Sequence, residues 1–179
     1  MYYSRNYQSN VGDLTLVSDG ENLTGLWMVG QKYYCKTVDG EMLPKEELPV
    51  FRTVTDWLDL YFAGKQPPIS DLPLAPSGGE FRQAVWKILC EIPYGQVTTY
   101  GEIAKKMARL QNRQTMSAQA VGGAVGHNPI SIIIPCHRVV GTNGSLTGYA
   151  GGVDKKIKLL ELEGVDMSRL TVPRRGTAL

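Results

Sequence analysis

The hydrophobic pattern divides the chain into two parts, and the first part has the alternation typical of β-strands. Residues 11–17 and 23–29 are β-leaning runs joined by the turn-rich sequence SDGEN, which predicts a β-hairpin. Residues 31–38, QKYYCKTV, are a candidate third strand. In residues 48–64 apolar side chains recur at helical spacing as far as Gly64, which predicts one helix. The first part is therefore predicted to be an α/β domain, a small antiparallel sheet with a helix.

A segment rich in proline and glycine separates the two parts. The sequence KQPPISDLPLAPSGG contains four prolines and two glycines, a composition typical of a linker or an extended crossing segment. We place the domain boundary at this linker. Residues 1–76 are then the N-terminal domain with the linker at its end, residues 77–165 are a C-terminal domain, and residues 166–179 are expected to be a mobile tail.

Helical patterns dominate the second part. The sequences GEFRQAVWKILCEIPYG and VTTYGEIAKKMARL each carry one apolar face, and the threonines of the second sequence can cap its helix. A further helix, SAQAVGGAVGHNP, is made of unusually small residues. The C-terminal domain is therefore predicted to be mainly helical, and a helix, a short break and a second helix suggest a helix-turn-helix.

The small residues of that second helix allow two explanations. A glycine inside a helix costs about 1 kcal/mol relative to alanine, so Gly122 and Gly123 need a reason to be there. One reason is tight packing against another helix of the same protein. The other is close approach to an outside surface, such as the groove of a nucleic acid.

Composition and charge narrow the possible functions. Of the 179 residues, 42% are hydrophobic, and a net charge of +2 permits nucleic-acid binding without requiring it. No apolar run approaches the ~18 residues of a membrane span, and the N-terminal sequence MYYSRNYQSN lacks the apolar core of a signal peptide. Three widely spaced cysteines fit reduced thiols, and two histidines make a structural zinc site hard to assemble. We therefore expect a cytoplasmic protein that does not contact a membrane.

The sequence IIIPCHRVVG is the first place to look for chemistry. The run from Ile132 to Ile134 predicts a buried strand, and Pro135 should end regular structure at Cys136. A thiol reacts as a thiolate and needs a base, and His137 is its neighbour. Adjacent side chains on an extended segment point to opposite faces, so contact requires irregular backbone or a bridging water. The alternative explanation is an inert, buried cysteine.

A histidine base needs a carboxylate to orient it, and the downstream sequence offers several. The candidates are Asp154, Glu161, Glu163 and Asp166. The glycine-rich sequence GTNGSLTGYAGG has neither a Walker lysine nor the dinucleotide spacing, so a phosphate-binding loop is excluded. The residues alone therefore suggest nucleophilic chemistry by a thiol and leave its carboxylate open.

These sequences together resemble the O6-alkylguanine-DNA alkyltransferases, also called methylated-DNA–protein-cysteine methyltransferases. IPCHRVVG is similar to the active-site signature of that family, and FRQAVWKILCEIPYGQVTTYGEIA, AVGGAVGHNP, GYAGG and LLELEG occur in its order and at its spacing. The resemblance covers roughly residues 80–165, whereas the N-terminal part is similar only in length and β-rich style. It implies a ribonuclease H-like N-terminal domain and a C-terminal domain with a winged helix-turn-helix.

The resemblance implies a role for each matching residue around the thiol. Cys136 is expected to accept an alkyl group from guanine O6 and keep it as a thioether. His137 is expected to take the thiol proton through a water, and Glu163 to hold the imidazole, which selects Glu163 among the four carboxylates. Asn128 is expected to brace the turn. Tyr100 is expected to donate a hydrogen bond to guanine N3, so that the base leaves neutral.

The resemblance also implies how the base and the DNA are held. The Val139 carbonyl is expected to read the guanine amino group, Tyr149 and Ala150 to wall the pocket, and Arg138 to be structural. The helix of small residues is expected to lie in the minor groove while the damaged nucleotide is flipped out of the stack. The expected DNA-binding residues are Ser117, Ala118, Gln119, Ala120, Gly122 and Gly123.

One position departs from the family pattern. Family members usually carry an arginine just before AVGG, which fills the gap left by the flipped base, and this chain has Gln119 there. Glutamine is shorter and uncharged, but it can still fill the gap and hydrogen-bond the orphaned cytosine. We expect weaker capture of the lesion with the transfer chemistry retained, and Arg113 could supply a substitute charge to the phosphates.

The function that the resemblance implies is DNA repair by direct, irreversible and stoichiometric alkyl transfer. A methyl or other alkyl group would move from O6-alkylguanine, and from O4-alkylthymine, to Cys136. The partner would be double-stranded DNA that carries the lesion, and the protein would act as a monomer without cofactor or metal. Two other classes stay open: a lesion-binding protein that flags alkylguanine for other repair machinery, and a cysteine hydrolase. Irreversible self-alkylation would separate these classes.

Overall fold

The computed structural model describes residues 1–173, which form two compact units. The first unit consists of residues 1–78 and 129–133, and the second of residues 79–128 and the chain from residue 134 onward. The segment 129–133 therefore lies with the N-terminal unit, although the sequence pattern assigns it to the C-terminal domain. Among the described residues, none of the helices combines the length and the apolar character that a membrane span needs.

The first unit contains a four-stranded sheet and one helix. The strands are β1 (Tyr2–Ser9), β2 (Gly12–Ser18), β3 (Leu23–Met28) and β4 (Met42–Pro44), and α1 is Pro49–Phe62. Their order in the sheet is β3-β2-β1-β4. The pairs β1–β2 and β2–β3 are antiparallel, but β4 pairs in parallel with β1. The sheet is therefore mixed, whereas the sequence predicted an antiparallel sheet. The helix α1 contacts the first three strands, and Gly64 follows its end with a φ of 81°.

The segment predicted as the third strand is not a strand. Residues 32–37 of QKYYCKTV form successive turns, and Tyr33 and Cys35 have φ of 59° and 53°. These left-handed conformations cannot continue a β-ladder. Strand β1 escaped prediction because its side chains are only half-buried and mostly polar, which hides the alternation.

The second unit is mainly helical, as predicted. Its helices are α2 (Glu80–Cys90), α3 (Tyr100–Leu110), α4 (Ala118–Gly126) and α5 (Val153–Leu162), and two short parallel strands are β5 (Thr98–Thr99) and β6 (Val139–Val140). The helix-turn-helix is confirmed as α3 and α4, which contact each other and α2.

Side-chain caps fix where the two helices of the helix-turn-helix begin. The Thr99 hydroxyl accepts a hydrogen bond from the Glu102 amide at the start of α3, which confirms the predicted threonine cap. The Ser117 hydroxyl accepts one from the Ala120 amide at the start of α4. The Trp86 indole of α2 donates to the Ala124 carbonyl at 2.9 Å and ties α4 to the core of the unit.

The isoleucine run before Cys136 is buried but is not a strand. The Ile133 amide bonds the Ser131 carbonyl at 2.8 Å across Ile132, whose φ is 72°, a strained conformation for a β-branched residue. The Leu26 amide bonds the Pro129 carbonyl and the Leu26 carbonyl accepts from Ser131, so this segment pairs beside β3 in the first unit. The apolar composition of this segment therefore indicates that it is buried, but it does not indicate a β-strand.

Residues 167–171, which the sequence pattern assigns to the expected tail, form contacts with the second unit. Residues 167–169 form a short 3₁₀ turn. The Thr171 amide donates to the Gly144 carbonyl at 3.0 Å, and the Leu146 amide donates to the Thr171 carbonyl at 2.8 Å. Met167 and Leu170 pack against a small apolar cluster of the second unit. These contacts hold the chain to residue 171, and the rest of the expected tail, residues 174–179, lies outside the described residues.

Candidate active site

A tight backbone turn presents the thiol. Pro135 has φ −82° and ψ 65°, the values of an inverse γ-turn, and the Cys136 amide accordingly donates to the Ile134 carbonyl at 2.8 Å. Residues Cys136–Arg138 then form one 3₁₀ turn. The predicted strand before Pro135 is therefore wrong, but the irregular backbone expected around Cys136 is present, and it sends the neighbouring side chains in directions that an extended strand would not allow.

Cys136 is buried beside Asn128. The Asn128 side-chain amide donates to the Ile134 carbonyl at 2.8 Å and also hydrogen-bonds the Cys136 sulfur. Burial raises the pKa of the Cys136 thiol, and the Asn128 hydrogen bond and the nearby Lys156 charge oppose that shift only in part. At neutral pH the thiol is therefore protonated, and its reaction as a nucleophile needs a base.

His137 and Glu163 form a fully buried pair. The Nε2 atom of His137 lies 2.5 Å from Oε2 of Glu163, and the neighbouring Arg138 donates its Nε proton to Oε1 of the same carboxylate at 2.6 Å. Burial opposes ionisation of Glu163, but the hydrogen bonds and charges of His137 and Arg138 outweigh it and lower the pKa of the carboxyl group. Glu163 is therefore an ionised acceptor, as the resemblance requires for an orienting group.

An ionised Glu163 defines the tautomer of His137. The proton lies on Nε2, which donates to the carboxylate, so Nδ1 keeps its lone pair. Nδ1 is buried and has no hydrogen-bond partner among the described residues. Burial lowers the pKa of His137 more than Glu163 raises it, so the imidazole is neutral at neutral pH. A neutral imidazole with an unpaired lone pair is able to accept a proton.

Arg138 and the turn after α2 hold Glu163 in place. One guanidinium nitrogen of Arg138 donates to the Ile92 carbonyl at 2.7 Å, and the guanidinium lies 5.7 Å from the centre of the Tyr94 ring. The Tyr94 hydroxyl donates to the Leu162 carbonyl at 3.3 Å, next to Glu163 in the chain. These contacts orient the Glu163 carboxylate.

Tyr100 is the first residue of α3, and its hydroxyl is a hydrogen-bond donor. It donates to the Thr147 carbonyl at 3.0 Å. Burial raises the pKa of the Tyr100 hydroxyl well above its ordinary value, so the group stays protonated. Gly148 has a φ of 74°, and a Cβ atom there would lie 2.7 Å from the Tyr100 oxygen, so only glycine fits beside this hydroxyl.

Lys156 is a site residue that the sequence analysis missed. It is fully buried in α5, and its ammonium donates to the Val139 carbonyl at 2.5 Å and to the Thr147 carbonyl at 2.9 Å. Burial lowers the pKa of Lys156 to about 8, against the opposing effect of Cys136. The available signal was its spacing: Lys156 lies four residues before the buried Leu160, on the apolar face of α5.

The remaining base-binding candidates lie on β6 and on the loop that precedes α5. Val139 is buried on β6, which pairs with β5 just before Tyr100. Tyr149 is buried and Ala150 is half-buried, two and three residues after Thr147. Through the Thr147 and Val139 carbonyls, Lys156 connects the loop to β6 and to the Tyr100 hydroxyl.

The DNA-binding candidates lie on one exposed part of the helix-turn-helix. Ser117, Ala118, Gln119, Ala120 and Gly123 are exposed, and Gly122 is half-buried. A Cβ atom at Gly123 would meet nothing within 4 Å, and one at Gly122 would meet the Tyr100 ring only at ordinary contact distance. Packing inside the protein therefore does not demand these glycines, which favours close approach to an outside surface. Lys105, Arg109 and Arg113 line a groove of about 380 Å³ that reaches Ala118.

Comparison with known proteins agrees with this architecture. The family model described as the ribonuclease-like domain of 6-O-methylguanine DNA methyltransferase matches residues 1–76. The model described as the DNA binding domain of the same enzyme matches residues 80–165. The chain therefore belongs to the 6-O-methylguanine DNA methyltransferase family, and the ribonuclease-like unit and the DNA-binding unit are the fold of that family.

Individual relatives cover almost the whole chain. A methylated-DNA–protein-cysteine methyltransferase of Haemophilus influenzae is 44% identical over 165 residues, which are 92% of this chain and 87% of the relative. One from Methanosarcina acetivorans is 45% identical, over 92% of this chain and 99% of its own. The crystal structure of Mycobacterium tuberculosis OGT in complex with DNA superposes with a TM-score of 0.77 at 43% identity, covering 94% of both chains.

Proposed function

We propose that this protein repairs DNA by transferring the alkyl group of O6-alkylguanine to Cys136, once per molecule and irreversibly. Family membership supports the reaction class. The single observation that carries the mechanism is the His137 ring, whose Nε2 is held by Glu163 and whose buried Nδ1 has no partner among the described residues. That arrangement is a base prepared to receive a proton.

The proposed reaction begins with the thiol. The Cys136 proton passes to Nδ1 of His137 through a water, and the sulfur attacks the alkyl carbon. The bond between that carbon and guanine O6 breaks as the carbon–sulfur bond forms. The departing guanine takes up one proton. The net reaction therefore moves the alkyl group to the sulfur and the thiol proton to guanine. A thioether is stable, so each molecule acts once and needs no cofactor.

Tyr100 and Val139 are proposed to hold the base while it reacts. The Tyr100 hydroxyl would turn from the Thr147 carbonyl to guanine N3 and help the base to leave neutral, as general acid assistance does. The Val139 carbonyl would accept a hydrogen bond from the guanine amino group. Tyr149 and Ala150 would wall the pocket from the loop before α5. O4-alkylthymine presents the same kind of alkyl carbon and is a second proposed substrate.

DNA is proposed to bind along the exposed part of α4. Guanine O6 cannot reach a buried thiol inside a stacked duplex, so the nucleotide must be flipped out, with the helix lying in the minor groove. Gln119, on the first turn of α4, would fill the gap that the base leaves. Arg109 and Arg113 form no ion pair with a described residue, so both are available to the phosphates. The two arginines would make up for the charge that Gln119 lacks.

Cellular location and oligomeric state remain predictions from the sequence. A cytoplasmic location is proposed because three widely spaced cysteines fit reduced thiols, and a monomer is proposed from the resemblance to the family. The alternative of a lesion-binding protein is not favoured, because the acceptor thiol and its base are both present. A hydrolase would use the same Cys136 and His137 but would release product repeatedly and keep no alkyl group.

The test is intact mass after incubation with duplex DNA that contains one O6-methylguanine. The wild type should gain one methyl mass per molecule, mapped to the peptide that contains Cys136. Cys136→Ala should bind the DNA and gain nothing. Cys90→Ala is the matched control and should gain the methyl group as the wild type does, because burial raises the pKa of Cys90 to about 11 and no histidine adjoins it. Methylation of Cys35 or Cys90, or release of product without added mass, would refute the proposal.

A further inference from the structure

Residues 31–37, which we call the tyrosine–lysine loop, are held in a strained shape in the first unit. Tyr33 and Cys35 both have left-handed backbone, with φ of 59° and 53°. A residue other than glycine in this region costs roughly 1–2 kcal/mol, so two such residues within three positions are unfavourable unless the rest of the unit imposes them. The shape of the loop is therefore imposed by its anchors and not by local preference.

Two side chains anchor the loop to the sheet. The side-chain oxygen of Gln31 accepts hydrogen bonds from the Met28 amide at 2.7 Å and from the Ser131 hydroxyl at 3.3 Å. The Tyr34 hydroxyl and the Thr15 hydroxyl of β2 lie 2.7 Å apart. The Tyr34 ring packs edge-on to Trp27, with ring centres 6.4 Å apart. The loop is thus a fixed platform, and the anchors leave its other side chains outside.

The side chains that the loop presents are aromatic and cationic. Lys32, Tyr33 and Lys36 are exposed, and the Lys36 ammonium lies over the Tyr33 ring, 5.3 Å from its centre. Neither lysine forms an ion pair with a described residue. No acidic residue lies between Glu21 and Asp39 in the sequence. The positive charge of the loop is therefore not neutralised from within its own segment.

We propose that the tyrosine–lysine loop is a second DNA contact, which binds the phosphate backbone of the duplex through Lys32 and Lys36. Tyr33 would pack on the sugar or donate its hydroxyl to a phosphate, a contact that tyrosine commonly makes. A protein partner fits less well, because lysine is depleted in protein interfaces. The inference rests on the proposed function, since it assigns to the ribonuclease-like unit a share of the DNA affinity.

The test measures how DNA affinity depends on salt. Lys32→Ala/Lys36→Ala and the wild type are titrated with one methylated duplex at several salt concentrations. Each phosphate contact contributes about 0.9 to the slope of log affinity against log salt, so the double variant should lower that slope by about two and bind more weakly at every salt concentration. Tyr33→Ala should weaken binding while leaving the slope unchanged, because it removes no charge. Urea unfolding curves establish that the variants are folded.

The matched control is Lys45→Ala/Lys65→Ala, which removes the same charge from the same unit. Lys45 also lies over a tyrosine ring, that of Tyr3, at 4.8 Å, but Glu46 and Glu47 follow it directly. The control should keep the wild-type slope. Equal slopes for wild type and Lys32→Ala/Lys36→Ala, or an equal loss in the control, would overturn the loop proposal. A wild type that takes no methyl group from DNA would instead refute the proposed function, whatever the loop does.

Discussion

At the scale of single residues, Lys156 links the groups that we assign to base recognition. Its ammonium bonds the Val139 carbonyl, which is proposed to read the guanine amino group. It also bonds the Thr147 carbonyl, which accepts the Tyr100 hydroxyl in the free protein. A buried charge is costly to maintain, and this one is compensated by the dipoles of the two carbonyl groups. Lys156 is therefore a positioning residue for both halves of the base pocket.

We predict that Lys156→Met slows alkyl transfer and also reduces the rate advantage of O6-methylguanine over O6-methylhypoxanthine. A hydrogen bond to a charged group is worth ~1.5–3 kcal/mol, so transfer from O6-methylguanine DNA should slow by roughly ten- to a hundredfold. Transfer from O6-methylhypoxanthine, which lacks the amino group read by Val139, should slow less. Single-turnover rates with the two duplexes measure the difference. Lys158→Met, on the exposed side of the same helix, should leave both rates unchanged. Equal slowing of both substrates would make Lys156 merely structural.

At the scale of elements, the sequence of α4 lowers the stability of that helix. Its two internal glycines, Gly122 and Gly123, are poor helix formers, and neither is required by the packing around it. The buried face of the helix is supplied by Val121, Ala124 and Val125. The exposed glycines cost helix stability without improving the packing of the protein, which indicates that another molecule approaches this face closely. The proposed partner is the minor groove of DNA.

We predict that Gly123→Ala separates stability from DNA binding. Alanine should raise the free energy of unfolding by about 1 kcal/mol, because the added methyl meets nothing in the protein and alanine favours the helix. The same methyl should weaken binding to the duplex by contact with the groove. Urea unfolding and a DNA titration measure the two effects. Gly126→Ala, at the end of α4, is the control that should gain stability without losing affinity. Unchanged DNA affinity in Gly123→Ala would remove the reason to place this helix in the groove.

The elements also show which features of the fold can be predicted from the sequence and which cannot. The caps at Thr99 and Ser117 are local chemistry, so α3 and α4 were predictable to within a few residues. The buried segment around Ile132 was not, because an apolar run reads the same whether it forms a ladder or consecutive γ-turns. Lys156 was missed because a lysine on a helix normally faces water. Its spacing to Leu160 places it on the apolar face of α5, but the carbonyl partners of its ammonium come from tertiary contacts that spacing does not show.

At the scale of the whole molecule, the buried ion cluster makes stability depend on pH. The pKa of His137 is lowered by burial, so the native imidazole stays neutral where an unfolded histidine, with a pKa of ~6.5, takes up a proton. The pKa of Glu163 is also lowered on balance, because the His137 and Arg138 interactions outweigh burial. In acid the unfolded chain therefore binds more protons than the native one at both residues. Both shifts make the native state less stable as pH falls.

We predict that the free energy of unfolding falls as pH drops below ~6.5, first through His137 and below ~4.3 also through Glu163. One proton of difference corresponds to about 1.4 kcal/mol per pH unit. Urea unfolding between about pH 5 and pH 7 measures the slope, and His137→Gln should reduce it by close to one proton. If His137→Gln kept the wild-type slope, the native imidazole would take up its proton over the same pH range as in the unfolded chain, and the conclusion that burial lowers its pKa would be wrong.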